Sequence, residues 1–485
     1  MEEKVLIFEK SVPTRKGYTL PETERNEQQI LAAIPEKFLR SADAALPEVS
    51  EPEVVRHFVN LSVKNHHIER GFYPLGSCTM KYNPKLNDVA ASFEGFRDHH
   101  PLAPCGSAAG CLEVMWSLSQ YLTEISGLPG MSLQPVAGAH GEFTGLLIIR
   151  AHHSSNGQKS YKIIIPDSSH GTNPASVSSV GYETVEVKSN ENGIISPETV
   201  QAVMDDDVAG MMLTNPNTLG LFESNIAEIA EIVHAAGGLM YMDGANLNAN
   251  MGIFRPGDIG FDIMHFNLHK TLSTPHGGGG PGGGAIGVTE ELEKYLPLPV
   301  LEKNEKGELF FNYARPHSIG RVHAFYGNFA NMVRAYAYIR TMGGEGLRHV
   351  SENAVINANY LKELLRKDYE LPYDTHCMHE FVISGNRQKK LGVRTADISK
   401  RLLDFGVHAP TNYFPLIVPE AMMIEPTETE TRETLERFAA IMEQIAREAE
   451  QSPQTVTSAP HSTPVRRLDE SGAARTLDVN YVEDS

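Results

Sequence analysis

Four short, largely apolar runs recur through the middle of the chain, at residues 161–165, 210–213, 239–242 and 285–288. Runs of this length without alternation predict strands buried on both faces, as in a parallel sheet covered by helices. Between the second and third runs, Ile226, Ile229, Ala230 and Val233 fall at helical spacing, and Gly237-Gly238 supplies a stop. A helix is expected over 141–150, ahead of the first run. Strands alternating with helices predict a mainly parallel sheet. Farther along, helical patterns over 331–341 and 346–367, then a strand over 379–384 and a helix over 395–405, predict a smaller C-terminal α/β domain. Residues 1–100 show Pro and Gly punctuation with little periodicity and are expected to be an irregular N-terminal arm. The large domain is then expected over 101–330, the small one over 331–450, and the Ser-, Thr- and Pro-containing stretch 451–485 as a disordered tail.

Composition narrows the class. The 485 residues carry a formal net charge of −19, which opposes any role that depends on neutralising nucleic-acid phosphates or anionic lipid. The four cysteines, Cys78, Cys105, Cys111 and Cys377, form no CxxC pair and no disulfide framework, as expected of a reducing compartment. The first residues have too short an apolar run and the wrong charges for a secretory signal, so the expected location is the cytoplasm. No apolar stretch approaches the roughly 18–20 residues needed to span a bilayer.

The polar residues of interest fall just beyond the predicted strands: Asp167-Ser168-Ser169-His170, Thr214-Asn215-Pro216-Asn217-Thr218, and Asp243-Gly244-Ala245-Asn246. In open α/β sheets that edge is where ligands bind. The next connection brings His269-Lys270, with Lys270 27 residues after Asp243 (270 − 243). Most lysines are solvated and most strand-end Asp residues merely cap or turn. Together, however, a strand-end Asp and a His-Lys step at this distance form the pattern of pyridoxal 5'-phosphate (PLP) enzymes of the aspartate-aminotransferase fold, fold type I. There the carboxylate pairs with the pyridinium nitrogen and the lysine holds the aldehyde. The tract from Gly277 to Gly284 satisfies GxGxxG but precedes an apolar run instead of following a strand, so the dinucleotide fingerprint fails on context. It is expected to be a mobile backbone loop able to approach a phosphate or a neighbouring subunit.

Several ordered blocks carry a family resemblance: Phe72-Tyr73-Pro74-Leu75-Gly76-Ser77-Cys78-Thr79-Met80-Lys81, Ala137-Gly138-Ala139-His140-Gly141-Glu142, His170-Gly171-Thr172-Asn173-Pro174, Tyr241-Met242-Asp243-Gly244-Ala245-Asn246, and Asn267-Leu268-His269-Lys270-Thr271. Over about residues 10–450 the chain resembles the glycine decarboxylases (P-proteins) of the glycine cleavage system, in particular the lysine-bearing chain of the two-chain form. The resemblance implies PLP bound through Lys270, with Asp243 on the pyridine nitrogen, Ala245 under the ring and His170 stacked on its other face. It also implies that the amides of Ala139, His140 and Gly141 receive the phosphate, as a helix N-terminus suits a dianion. The family commonly has Gln where His140 stands, so the backbone contact is the firmer expectation there. Two readings stand for Thr214 and Asn215, a hydrogen bond to the cofactor or a self-satisfied turn. Two stand likewise for His269, a phosphate or proton contact or a structural one. The resemblance further implies glycine as substrate, a lipoylated H-protein as acceptor, and a homologous subunit 1 in a heterotetramer of two copies of each.

Three other readings remain at this stage. An amino-acid decarboxylase without lipoyl chemistry is compatible with the lysine alone and is opposed by the wider block match. A cysteine desulfurase of the same fold needs a mobile late cysteine, and Cys377 is the candidate. Its neighbours His376 and His379 suggest metal ligation, against the commoner role as packing residues without a second ligand pair. The chain is also readable as a non-catalytic scaffold for a partner, which the retention of both Asp243 and Lys270 opposes.

Overall fold

The computed structural model describes residues 6–17, 26–42, 44–158, 161–277 and 282–480. They divide into two compact units, Met1–Arg70 and Gly71–Ser485. The first carries two helices, Glu27–Ala32 and Glu51–Ser62, the second opened by a capping box between Ser50 and Glu53.

The second unit is built on seven strands: β1 (Gly130–Ser132), β2 (Lys162–Pro166), β3 (Glu183–Val187), β4 (Val208–Thr214), β5 (Leu239–Gly244), β6 (Ile263–Asn267) and β7 (Gly284–Val288). Their order across the sheet is β1-β7-β6-β5-β4-β2-β3. Strands β2 to β6 run parallel, whereas β7 is antiparallel to both β6 and β1. Every residue of β4, β5, β6 and β7 is buried because both faces are covered. On one face, Met211, Leu213, Met240, Met242, Met264 and Phe266 pack with Leu112, Leu118, Ile229 and Val233 from helices. On the other, Ala209, Met212, Tyr241 and Ile263 pack with Leu146, Ile149 and Val177. Successive residues of one strand thus serve opposite cores, which is why these strands read as largely apolar runs.

Strands β1, β3 and β6, and a hairpin of β8 (Val300–Lys303) and β9 (Leu309–Asn312), were not among the expected strands. In β6 the polar His265 and Asn267 interrupt the apolar run; both are buried and belong to the site described below. The helix expected over 141–150 runs from Gly138 to Ser155. Glycines at helical spacing let it lie close on the sheet: a Cβ on Gly138, Gly141 or Gly145 would meet Asn267 Oδ1 at 2.2 Å, His265 Cβ at 2.7 Å or Tyr241 Cε2 at 2.1 Å.

The two helical patterns after 330 form one long element, Phe329–Leu365, broken at Gly343, whose φ of 63° and ψ of 178° lie outside helical values. Before the break its buried side chains join the large core, and toward its end Ala358, Leu361 and Leu365 join a second core. That second core lies under an antiparallel sheet, β10 (Phe381–Ser384), β12 (Ala421–Ile424) and β11 (Thr411–Asn412), in that order, with helices Thr395–Asp404 and Arg432–Gln451.

The structure differs from two expected boundaries. Residues 71–100 belong to the second unit rather than to an N-terminal arm. Leu75 bridges to Ile424 and Gly76 N–H bonds the Met423 carbonyl, an approach that a Cβ at Gly76 would block at 2.3 Å from Met423 Cγ. The expected disordered tail begins instead with a helix, Pro453–Thr457, and Val456 and Ala459 are fully buried; two apolar anchors suffice where the composition is otherwise polar. The centre of the glycine tract, residues 278–281, lies outside the described residues, and so does the expectation of a mobile loop there. Among the described residues no helix is long and apolar enough to cross a membrane.

Candidate active site

The carboxyl ends of β4, β5 and β6 meet at one place. Thr214 stands opposite Asp243 in the β4–β5 register, and Asp243 stands opposite His265 in the β5–β6 register. Asp243 is 3% exposed. Its Oδ1 lies 3.2 Å from His265 Nε2 and accepts the Ala245 N–H at 2.9 Å, while Oδ2 accepts from Asn173 Nδ2 at 3.0 Å. Burial alone would raise the carboxyl, yet the His265 imidazole and the hydrogen bonds from His265 and Asn173 outweigh it and hold Asp243 below the usual carboxylate range. A charged carboxylate is therefore maintained inside the protein. His265 is itself fixed, with Nδ1 2.8 Å from the Tyr241 hydroxyl. His265 Nε2 also lies 3.1 Å from Asn267 Nδ2, so the ring is held by Tyr241 on one side and by Asn267 and Asp243 on the other.

Lys270 follows β6, half-buried, and its Nζ donates to the Ser77 carbonyl at 2.8 Å. Burial holds His170 below the ordinary imidazole range, and Asp243 and Lys270 both act on it electrostatically. Its Nδ1 is 2.9 Å from the Thr172 hydroxyl, which in turn donates to Glu142 at 2.8 Å, and its ring meets Phe414 edge-on at 5.5 Å. The ring is thus a neutral, oriented surface near the charged pair.

The helix opening at Gly138 presents free backbone N–H groups, with one correction to the sequence reading. Gly138, Ala139 and His140 are the first three helical residues, and their N–H groups have no partner within the helix. The N–H of Gly141 already donates to the Ala137 carbonyl at 2.9 Å, so Gly141 serves packing against His265 instead. The His140 ring is also committed: Nδ1 accepts from Val136 N–H at 3.2 Å and Nε2 lies 3.0 Å from the Val322 carbonyl. Only the backbone of His140 remains for a ligand.

The two readings of residues 214–217 separate by residue. Asn217 is a turn residue, its Oδ1 accepting from Leu219 and Leu221 and its Nδ2 donating to Glu223. Thr214 Oγ1 and Asn215 Nδ2, by contrast, are buried with no hydrogen-bond partner among the described residues. Buried polar atoms are ordinarily satisfied. Orphans at the end of β4, beside an ionised carboxylate that itself lies near a lysine, fit a polar ligand such as PLP. His269 has a structural contact at one nitrogen: Nδ1 contacts the Gly283 carbonyl at 3.0 Å, and burial pushes the ring down to about 4.

The sequence reading assigned no role to Asn173, His265, Tyr241, Ser77, Glu380 or Glu425. Tyr241, a polar group in an apolar run two residues from Asp243, and Asn173, three residues after His170, lay close to named site residues; Ser77, Glu380 and Glu425 are distant in sequence and gave no signal. Cys377 sits in the small core, 4% exposed, its thiol pushed up to about 11 by burial. A thiol so placed cannot serve as a mobile nucleophile, which closes the desulfurase reading.

A parallel α/β sheet with its ionised Asp at one strand end and a lysine after the next defines a PLP-dependent enzyme of fold type I. Residues 144–295 match the class-V aminotransferase family, and residues 350–466 match the glycine dehydrogenase C-terminal domain. A probable glycine dehydrogenase (decarboxylating) subunit 2 of Chloroherpeton thalassium is 58% identical over 479 residues, covering 98% of this chain and 97% of its own. One of Bacillus velezensis is 57% identical over 481 residues, covering 99% and 98%. The chain belongs to the glycine dehydrogenase (decarboxylating) subunit 2 family. Among solved structures, an inhibitor-bound glycine decarboxylase (P-protein) of the glycine cleavage system superposes with a TM-score of 0.73 at 20% identity, over 88% of this chain and 99% of that one. A glutamate decarboxylase of Lactobacillus brevis superposes at 0.62 and 14% identity, over 86% and 96%. These structures share the fold.

Proposed function

We propose that this chain decarboxylates glycine with PLP bound at Lys270 and passes the remaining aminomethyl group to the lipoyl disulfide of an H-protein, releasing CO2. The observation that carries the reading is Asp243, held ionised inside the protein by His265, Asn173 and the Ala245 N–H. When bound, PLP supplies a carbonyl carbon for the amine and an electron sink for the pair released as CO2 departs. Asp243 keeps the ring nitrogen protonated, because a fixed anion favours the charged form of its neighbour. His170 offers a neutral face that neither competes for that proton nor repels the lysine. Gly138, Ala139 and His140 give their free N–H groups to the phosphate, while Thr214 and Asn215 supply two further donors. Lys270 holds the aldehyde and takes up or gives back a proton at Nζ.

The electrons balance on the lipoyl group. The pair from the broken C–C bond forms a C–S bond, the S–S bond breaks, and the second sulfur takes a proton. The disulfide is the oxidant, so no nicotinamide is required. The large domain carries the cofactor in this reading, and the small domain meets it from the other side. A homologous subunit 1 completes the enzyme as a heterotetramer of two copies of each chain, in the cytoplasm, consistent with the acidic composition and four unpaired thiols.

Lys270→Ala tests the reading most directly. Purified with its partner chain, the wild type should show a visible band that borohydride abolishes, leaving pyridoxyl on Lys270, and lipoyl-dependent release of CO2 from glycine. The variant should lose both. A yellow, active K270A protein would end the assignment.

A further inference from the structure

The small domain brings an acidic pair to the lysine that the proposed reaction has not used. Glu380 immediately precedes β10 and Glu425 immediately follows β12. These strands pair antiparallel with Phe381 opposite Ile424, so the two carboxylates emerge side by side. Glu380 is 0% exposed and Glu425 1%. One oxygen of each and a ring nitrogen of the fully buried His379 lie within 4.8 Å of one another. His379 Nε2 is 3.9 Å from an oxygen of each acid, and neither of its nitrogens has a hydrogen-bond partner among the described residues.

The pair reaches Lys270 through residues 77–79. Glu380 Oε2 accepts the Ser77 N–H at 2.7 Å, and the Ser77 carbonyl accepts Lys270 Nζ at 2.8 Å. Ser77 has a φ of 63°, uncommon for a residue with a side chain, and its two peptide groups link acid to lysine. Glu380 Oε1 also accepts from Asn246 at 3.2 Å. Glu425 accepts from the Thr79 hydroxyl at 2.6 Å through Oε1, while its Oε2 has no partner among the described residues.

Two buried carboxylates this close do not both ionise. We propose that Glu380 and Glu425 hold one proton between them and present a single negative charge to Lys270, making them positioning residues for its nitrogen. Glu380, with two donors on it, bears the charge; Glu425, with an undonated oxygen, bears the proton. Burial, ahead of every other influence, raises both acids above the usual carboxylate range, and it pushes His379 down to about 3, so the imidazole contributes no charge. Of the remaining charged groups near the pair, Glu428 is paired with Lys81 at 2.7 Å, and burial keeps the nearby Cys78 thiol neutral by raising it.

The proposal rests on Lys270 as the cofactor lysine, and the test separates the two ideas. Infrared spectra of the full chain without added PLP, at neutral pH, should contain the carbonyl stretch of a buried protonated carboxyl; Glu425→Gln should remove it and Glu425→Asp should only shift it. The chain is then loaded with PLP and its visible band titrated. Glu380→Gln should lower the midpoint by about one pH unit, roughly tenfold in proton affinity, whereas Glu425→Gln, which leaves the charge on Glu380, should keep it in place. A merely structural pair would not separate the variants in this way. The proposal is overturned by a wild type lacking the protonated-carboxyl band, or by variants that both titrate at the wild-type midpoint or shift equally. Absence of any visible band after loading counts against the Lys270 reading alone. The infrared arm, which needs no cofactor and whose wild-type spectrum needs no variant to fold, then decides the pair.

Discussion

Two buried acidic centres flank Lys270, and they are built in opposite ways. At the end of β5, Asp243 is surrounded by donors: an imidazole, an amide side chain and a backbone N–H. At the junction of β10 and β12, Glu380 and Glu425 face each other and an imidazole without a hydrogen-bond partner among the described residues. Both sites are almost completely buried, so desolvation acts on both. What differs is the company. Donors and a potential cation hold one carboxyl ionised, whereas a second carboxyl leaves the other pair with a proton. Burial alone therefore does not set the charge of an acid; its immediate partners do.

Asp243→Asn breaks the contrast most severely, because an amide cannot keep a ring nitrogen protonated. Glycine decarboxylation should fall by about 10²–10³-fold, the usual scale for losing one preorganised electrostatic contact, while borohydride still fixes cofactor to Lys270. Unchanged turnover would show that the ionised carboxylate is not used. Next in size is Gly145→Ala, which places a Cβ 2.1 Å from Tyr241 Cε2 and so disturbs the Tyr241-His265-Asp243 relay from beneath. Denaturant unfolding should show a loss of about 1–3 kcal/mol, and equal stability would mean that the helix shifts freely on the sheet.

The acid pair makes a smaller prediction with a definite sign. Glu425, raised well above 4.5 in the folded chain by burial first and by the neighbouring Glu380 next, keeps a proton at pH values where its unfolded form has lost it. Its contribution to stability is therefore full below about 4.5 and declines as pH rises above that. Glu425→Gln removes this dependence, so its unfolding free energy relative to wild type should rise between about pH 5 and 8, by an amount on the order of 1 kcal/mol. A flat difference across that range would contradict a shared proton. Asp243 has the reverse sign: depressed in the fold, it stabilises above the unfolded carboxylate range and the benefit disappears as pH falls. Smallest of all is Cys377→Ala, which should leave decarboxylation unchanged and cost about 1 kcal/mol of packing; lost activity would revive a chemical role for that thiol.

The fold was legible where neighbours in sequence are neighbours in space. The apolar runs marked β2, β4, β5 and β7, and Gly343 breaks a helix that the pattern had already divided. Strand β6 was missed because His265 and Asn267 serve the site and interrupt the hydrophobic signal. Residues 71–100 resembled an arm because their partners, Met423 and Ile424, lie more than three hundred positions away. The site divided along the same line. Asp243 ends a recognisable apolar run and Lys270 follows it at a telling distance, so spacing sufficed to find these two, whereas the helix opening was implied by the family resemblance. The Gly141 amide resembled a ligand contact, but the helix starts three residues earlier than expected and commits it to the Ala137 carbonyl, while the His140 ring is committed by Val136 and Val322.

The sequence by itself determined the alternation of strand and helix, the chemical types at the strand ends and, through its ordered blocks, the family. Only the tertiary structure decided the charge states. Ser77 meets Glu380 across 303 positions and Thr79 meets Glu425 across 346, contacts that no local periodicity encodes. A carboxyl's proton affinity depends on how much water it has lost and what lies within a few ångströms, and both are properties of the packed chain. The residues supply the acids, and the fold decides which of them keep their protons.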